Sequence, residues 1–324
     1  MPDALTKIRI ALQNLKQAIA VTVCKVDELS AIESNFKTSN TPPEGEYKPY
    51  GACSGKFRHY WIKGEFDTPC AEPNTEYCLM ADTGITGWDA LNPQALLFLN
   101  GKIVQGLDVN HKDCSLAPDT HYDMLSYWYT AERDHFKVNY SVVKIYSNVE
   151  KLYYDLQVPY EACERVYNAN SAEYHKTLSL LEMAVNIIDF RTVHSPEFFA
   201  SIDAALDFFG SEFYGKLCST EGKPEVVCLG HTHIDVEWLW SRFVTKEKIQ
   251  CSFSTAKALM DKYPEYKFML SQPNLYQYLK EEAPEKYEEP RELVKAGRWE
   301  PEGAMYVEGD CNLTSGESLV RQLM

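Results

Sequence analysis

Val226 to Arg242 reads VVCLGHTHIDVEWLWSR, and this stretch places several metal-ligating side chains directly after a predicted strand. The apolar run Val226 to Leu229 is typical of a buried strand, and Gly230 ends the run in a loop. In barrel and open-sheet α/β folds, catalytic and metal-binding side chains gather at the carboxyl ends of parallel strands. We therefore expect a functional site in the loop that begins at Gly230.

His233 and Asp235 are the candidate metal ligands of this loop. They lie two residues apart, so in an extended segment their side chains leave on the same face and can reach one divalent ion, for which zinc is well suited. His231 is either a further ligand or a residue that orients the loop from the opposite side. Trp238 follows Asp235 by three residues, where an indole face can cover the apolar face of a sugar ring. The combination indicates a carbohydrate substrate.

The motif GHTHIDVEWLW resembles the first zinc-site motif of the family 38 α-mannosidases, a His-x-Asp pair followed three residues later by Trp. Two further stretches are similar to the bacterial and cytosolic-type branch of that family: RWEPEGAMYVEGDCNLTSGESLVRQ (Arg298 to Gln322) and QALLFLNGKIVQGLDVNH (Gln94 to His111). The second stretch resembles the β-sandwich that precedes the catalytic barrel. The resemblance implies that His233 and Asp235 bind Zn²⁺ and that Trp238 lines the sugar subsite, where zinc holds vicinal hydroxyls of mannose.

The implied function is that of a zinc-dependent retaining α-mannosidase, which removes terminal α-linked mannose from oligosaccharides. Retaining glycosidases need a nucleophilic and an acid/base carboxylate about 5 Å apart. The resemblance places the nucleophilic Asp and a further ligand His beyond Met324, so we expect no catalytic residue within this chain and no activity from it alone. Asp310, in the turn after the third predicted strand, is a candidate for sugar binding or for a turn role. The resemblance leaves open a homo-oligomer of the full-length enzyme.

Two other functions remain alternatives. His231-Thr232-His233 also reads as the His-x-His pair of a zinc amidohydrolase-like enzyme. A non-catalytic carbohydrate-binding module would use the aromatic side chains before residue 150, such as Trp61, Trp88 and Trp128, although aromatic residues of a sandwich more often pack in its core. His111 and His121 lie near several Asp residues without tight ligand spacing, so we interpret them as solvated residues and not as a second metal site.

The composition excludes several classes of partner. The formal net charge of −15 at pH 7 and a pI near 5.0 would repel nucleic acids and anionic membranes. Ten cysteines without a CxxC pair indicate free thiols. Charged and polar residues interrupt the apolar run near the amino terminus, so we expect no signal peptide there, and we expect no transmembrane span. We therefore expect a cytoplasmic protein.

The 324 residues predict a multidomain chain. Residues 1–50 are expected to hold an N-terminal helix, from about Asp3 to Val23, and a linker. Residues 51–150, with short β-like runs and a hairpin signal at Asn100-Gly101, predict a β-sandwich. Residues 151–222 show a helical period and predict a helical spacer, in which Ser195-Pro196 predicts a helix start with a cap and a first-turn proline. Residues 223–324 alternate strand and helix patterns and predict the first part of an α/β catalytic domain, a (β/α) barrel.

Overall fold

The computed structural model describes residues 3–34, 40–219 and 225–323. Two antiparallel sheets form a β-sandwich, with strand orders β1-β12-β6-β9 and β3-β2-β5-β10-β7-β8, and β4 pairs with β11 beside them. The strands are β1 (Ala20–Lys25), β2 (Ser30–Ser34), β3 (Lys48–Pro49), β4 (Cys53–Ser54), β5 (His59–Asp67), β6 (Thr75–Asp82), β7 (Gln94–Leu99), β8 (Lys102–Leu107), β9 (Asp113–Leu116), β10 (His121–Tyr129), β11 (His135–Phe136) and β12 (Asn139–Tyr146).

Successive side chains of each strand point to opposite faces of its sheet, so one set of residues enters the space between the two sheets. This inner core contains Ile62, Leu97 and Trp128 from the larger sheet and Leu79 and Val142 from the smaller one. The predicted β-sandwich is therefore present.

The hairpin prediction at Asn100-Gly101 is confirmed. These two residues join β7 to β8 with φ values of +50° and +76°, the left-handed conformation that a type I′ turn requires at both positions.

Four α-helices pack around a second core: α1 (Ala4–Ala18), α2 (Ser147–Arg165), α3 (Ala172–Ile187) and α4 (Pro196–Phe209). The predicted cap at Ser195 is confirmed, since its side chain accepts a hydrogen bond from the Phe198 amide ahead of Pro196. From Gly210 the chain continues as a π-helix to Leu217. No helix in the described parts of the chain combines the length and apolar character that a membrane crossing needs.

Three details of this region differ from the prediction. The first helix ends at Ala18, because Ala20–Lys25 pairs with β12 as an outer strand and thereby joins the sandwich. Strand β2 likewise extends the sandwich into the segment that the sequence indicated as a linker. Helix α2 also begins earlier than expected and continues through Pro159, although proline removes one helical hydrogen bond. Tertiary packing determines both outcomes, since α2 buries Leu152 and Leu156 completely.

The remaining elements alternate as predicted, and their three short strands form a parallel sheet in the order β13-β14-β15. The elements are β13 (Gly230–His231), α5 (Arg242–Lys262), β14 (Phe268–Met269), α6 (Pro273–Glu282), α7 (Pro284–Lys295), β15 (Trp299–Glu300) and α8 (Gly316–Arg321). A three-stranded parallel sheet is common to several α/β folds, so the (β/α) barrel stays a prediction.

The expectation of a buried strand from Val226 to Leu229 is wrong. Only Gly230 and His231 pair with β14, and the side chains of Val226 and Val227 are each 74% exposed. An apolar run is buried in a parallel sheet when other elements cover both faces. The apolar composition of this run therefore does not predict whether its side chains are buried by the described residues.

Helix α5 packs against the outer face of the larger sandwich sheet. Cys251 contacts the aromatic and aliphatic side chains of this face, and its thiol donates to the Ala95 carbonyl at 3.3 Å. Gly106 permits the close approach, because a Cβ there would lie 2.6 Å from Cys251 Cβ. The Thr255 hydroxyl and the Gly106 amide are hydrogen-bonded at 3.2 Å. The sandwich and the α/β segment therefore share a tightly packed interface.

This interface contains one buried carboxyl group. The Tyr127 hydroxyl donates to Glu247 Oε1 at 2.7 Å, whereas Glu247 Oε2 has no hydrogen-bond partner among the described residues. His59 Nδ1 lies 3.5 Å from Oε1. Burial raises the pKa of Glu247 to about 8 and lowers that of His59 to about 4. Burial therefore favours the protonated form of Glu247 in this interface.

We expect Glu247→Gln to remove a pH dependence of stability. The pKa of Glu247 in the folded chain, about 8, lies above the ordinary value of 4.5. The stability contribution of its proton is fully present below pH 4.5 and is lost as the pH rises through about 8. The difference in free energy of unfolding between the glutamine variant and the wild type should grow in favour of the variant over this window and level off above it, at a size on the order of 5 kcal/mol.

Denaturant unfolding at several pH values would measure this difference. Asp261→Asn is the matched control, since Asp261 lies on the same helix with its side chain 62% exposed. The control should follow the wild type across the whole pH range. A difference between Glu247→Gln and wild type that stays constant from pH 5 to pH 9 would contradict the assignment of a buried, protonated carboxyl.

Candidate functional site

The two predicted metal ligands lie together after β13. His233 Nε2 and Asp235 Oδ1 are 3.0 Å apart, and both side chains are about half exposed. Ile234 between them points into the core, where it is 4% exposed. The alternation expected of an extended segment therefore holds, with Ile234 anchoring the loop while its neighbours face solvent.

The loop is fixed by the ends of the other two parallel strands. Gln272, just after β14, donates through Nε2 to the Ile234 carbonyl at 3.1 Å and accepts from the Glu308 amide at 3.3 Å. Gln272 is 2% exposed and has a φ of +65°. Because its side chain connects segments that follow all three strands, the position of the ligand loop is determined by the whole sheet edge.

Glu308 is a site residue that the sequence reasoning missed. Its Oε2 lies 3.6 Å from His233 Nδ1, and its Oε1 accepts a hydrogen bond from the Ser271 hydroxyl. A signal was available, because Glu308 follows the third strand and strand ends of a parallel sheet share one edge. From the same turn the sequence predicts a role for Asp310, two residues later, and not for Glu308.

The donor set fits a divalent metal ion. Two atoms 3.0 Å apart, one imidazole nitrogen and one carboxylate oxygen, can contact the same ion, and this pair of ligand types is common for zinc. Metal-bound histidines usually direct their second ring nitrogen to a carboxylate, and Glu308 stands at that nitrogen of His233. The residues present therefore fit zinc with His233 and Asp235 as ligands, and the rest of the shell would come from water or other groups.

Trp238 lines a cavity of about 480 Å³ together with His231, His233 and Asp235. Its side chain is 59% exposed, and its ring meets Trp240 edge to face at 5.7 Å. Trp240 is fixed by α5, because its Nε1 donates to Thr245 Oγ1 at 3.1 Å. The structure thus leaves Trp238 as the accessible indole next to the ligand pair.

Asp310, Glu237 and Trp299 have local roles. Asp310 does not line this cavity, and its carboxylate accepts from the Asn312 amide at 2.8 Å, which is a turn contact. Glu237 has a φ of +59° and pairs with Arg242 at 2.7 Å. Trp299 is 2% exposed and donates to the Tyr276 hydroxyl at 2.8 Å, so it is a core residue.

A separate group of possible ligands lies on the exposed surface of the sandwich. Among the described residues, Glu65, His121 and Asp123 place three ligand atoms within 4.8 Å of one another. His121 Nδ1 also contacts Asp67 Oδ1 at 2.9 Å, and this hydrogen bond raises the pKa of His121. The side chains of His121, Asp67 and Asp123 are more than half exposed, and Glu65 is exposed as well, as expected for solvated residues.

The chain is similar to solved structures and to several curated proteins. It covers 98% of a family 35 carbohydrate binding module from Clostridium thermocellum over 40% of its own length, at 16% identity and a TM-score of 0.20, a likeness too weak to bear on the fold. Alpha-mannosidase G of Dictyostelium discoideum is 48% identical over 106 residues, which are 33% of this chain and 10% of that protein.

Two further relatives carry related names. Alpha-mannosidase of Saccharomyces cerevisiae is 35% identical over 123 residues, or 36% of this chain and 11% of that protein. Alpha-mannosidase 2C1 of Homo sapiens is 37% identical over 114 residues, or 35% of this chain and 11% of that protein. The chain therefore spans about a tenth of the length of these curated relatives.

A family model described as the glycosyl hydrolases family 38 N-terminal domain matches residues 223–324. This range contains β13 to α8, the His233 and Asp235 pair and Trp238. The resemblance inferred from the motifs is thus confirmed over the α/β segment. Residues 223–324 of this chain are similar to the N-terminal domain of the glycosyl hydrolases of family 38.

Proposed function

We propose that the protein carrying this chain is a zinc-dependent retaining α-mannosidase and that residues 226–242 supply part of its metal site and its sugar platform. The observation that carries the proposal is the 3.0 Å approach of His233 Nε2 to Asp235 Oδ1 beside the exposed Trp238. The family match of residues 223–324 and the names of the relatives support it. The substrate class is α-mannoside oligosaccharides.

The chain's own residues would act by binding and orientation. His233 and Asp235 would hold the zinc ion, and Trp238 would cover the apolar face of the terminal mannose ring. Glu308 would keep the proton of the His233 ring on Nδ1, so that Nε2 stays available to the metal. Zinc would supply a template and a Lewis acid for two vicinal hydroxyls of the sugar.

Retention of configuration would require a covalent glycosyl-enzyme and therefore a carboxylate nucleophile. We assign no residue of this chain to that role, and we propose that this segment contributes zinc ligands and sugar contacts. The released mannose should keep its α configuration. The amidohydrolase-like alternative gains no support, because the segment that contains His231-Thr232-His233 matches family 38.

We expect the chain to bind zinc through His233 and Asp235. The measurement is isothermal titration calorimetry in a His121→Ala background, so that the exposed group around His121 does not contribute. The double variant His233→Ala, Asp235→Ala should abolish binding, because it removes both proposed protein ligands. In the whole protein, Asp235→Asn should abolish hydrolysis of an aryl α-mannoside and leave the thermal midpoint of the metal-free form unchanged.

His231→Ala is the matched control, since His231 lies two residues before His233 and lines the same cavity. It should keep at least half of the zinc affinity and of the activity. Zinc affinity that is equal in the double variant and in its parent would refute the metal site. Normal turnover by Asp235→Asn would refute the proposed function.

We also expect Glu308→Gln to weaken zinc binding by about 10- to 100-fold, the usual effect of losing a carboxylate behind a metal-bound histidine. Glutamine keeps the shape of the side chain and the contact with Ser271 but removes the charge opposite His233 Nδ1. Titration calorimetry would measure the zinc affinity, and thermal unfolding of the metal-free chain would detect a purely structural effect.

Glu302→Gln is the control, because Glu302 is an exposed residue of the same segment. It should bind zinc as the wild type does. A Glu308→Gln variant with unchanged zinc affinity would show that Glu308 does not position His233. A loss of metal-free stability equal to the loss in zinc binding free energy would assign Glu308 a structural role instead.

A further inference from the structure

The cavity at the ligand loop has two walls that come from different parts of the chain. One wall is the α/β segment, with the ligand loop and the stretch of α5 from Lys248 to Leu259. The other wall belongs to the sandwich and consists of residues 88–94, before and at the start of β7, and residues 107–111, after β8. A volume of about 480 Å³ is within the range of small-molecule sites and far exceeds that of a metal ion.

The tryptophans distinguish this cavity from the rest of the molecule. The chain has six, and Trp61, Trp128 and Trp299 are at most 2% exposed, while Trp240 is half-buried. Only two are largely exposed among the described residues, Trp88 at 74% and Trp238 at 59%. Both line the same cavity, one from each wall. Exposed indoles are costly when isolated in water, and two of them at one cavity indicate a ligand with apolar faces.

The loop that carries Trp88 is internally braced. Asn92 Nδ2 donates to the Gly87 carbonyl at 2.9 Å, and Asn92 Oδ1 accepts from Arg133 at 2.9 Å. Asp89 Oδ1 accepts from the Leu91 amide at 2.8 Å. These hydrogen bonds fix residues on both sides of Trp88, so its backbone is ordered without a ligand. This order lowers the conformational entropy cost of binding.

Polar groups that suit sugar hydroxyls line the same cavity as the two indoles. Lys248 connects the walls, because its Nζ donates to Gln94 Oε1 at 3.0 Å and lies 4.3 Å from the centre of the Trp240 ring. Burial lowers the pKa of Lys248, and the carboxylates of Asp108 and Asp235 act in the opposite direction. Asp108 and His111 form a pair at 3.1 Å on the sandwich wall. Donors and acceptors are thus available on both sides of the cavity.

We propose that Trp88 is a second sugar platform and that the sandwich supplies the subsite for the second ring of an α-mannoside oligosaccharide. This inference depends on the proposed function, in which Trp238 and the metal site hold the terminal ring. Trp88 would stack on the adjacent ring, and Asp108, His111 and Lys248 would bind its hydroxyls. The sandwich therefore takes part in substrate recognition at the metal cavity and is more than a structural support.

The test compares ligands with one and two rings. The zinc-loaded chain is titrated with methyl α-mannoside and with α-1,2-, α-1,3- and α-1,6-linked mannobioses by calorimetry. Trp88→Ala should weaken binding of the preferred mannobiose by about tenfold and leave methyl α-mannoside unchanged, because only the second ring loses its stacking partner. Trp238→Ala should weaken both ligands. Tyr167→Ala, an exposed aromatic residue of the helical region, is the control and should change neither.

The outcomes separate this inference from the proposed function. If the wild type binds methyl α-mannoside and Asp235→Ala loses it, the proposed function stands, and equal mannobiose affinity in wild type and Trp88→Ala then overturns the second platform alone. If the wild type binds neither sugar, both proposals are overturned. Thermal unfolding of Trp88→Ala should match the wild type, and Trp88→Phe should recover most of the mannobiose affinity if stacking is the cause.

Discussion

The close packing of α5 on the outer face of the larger sandwich sheet determines how the α/β segment lies against the sandwich. At Gly106 the absence of a side chain lets the strand approach Cys251 to a distance that a Cβ would prevent. Helix α5 begins at Arg242, directly after the ligand loop, so this contact also sets where the loop lies relative to the sandwich. The cavity and its two walls follow from that placement.

Within the α/β segment, the buried side chain of Gln272 fixes the position of the ligand loop. Gln272 connects the ligand loop to the segment after β15, and Glu308 from that segment faces His233. A buried amide that uses both its donor and its acceptor in this way is well suited to fix two loops at once. The ligand pair is therefore held by contacts from every strand of the small sheet.

Local sequence patterns predicted the features that depend on neighbouring residues. The Asn100-Gly101 turn, the cap at Ser195 and the alternation around Ile234 all follow from short-range rules and agree with the structure. Features that depend on distant packing were not predictable, because no local pattern shows which elements meet. Glu308 beside His233 and Trp88 across the cavity from Trp238 are of this kind. The exposed Val226 shows the converse, since its apolar neighbourhood indicated a burial that the fold does not provide.

We propose that one cavity, formed by the sandwich and the α/β segment, contains a zinc site at His233 and Asp235. Crystals of the zinc-loaded chain, measured on either side of the zinc absorption edge, would test this site most directly. We expect an anomalous peak within bonding distance of both His233 Nε2 and Asp235, about 2.0 to 2.2 Å from each atom. A peak only at Glu65, His121 and Asp123, with none at His233, would contradict it.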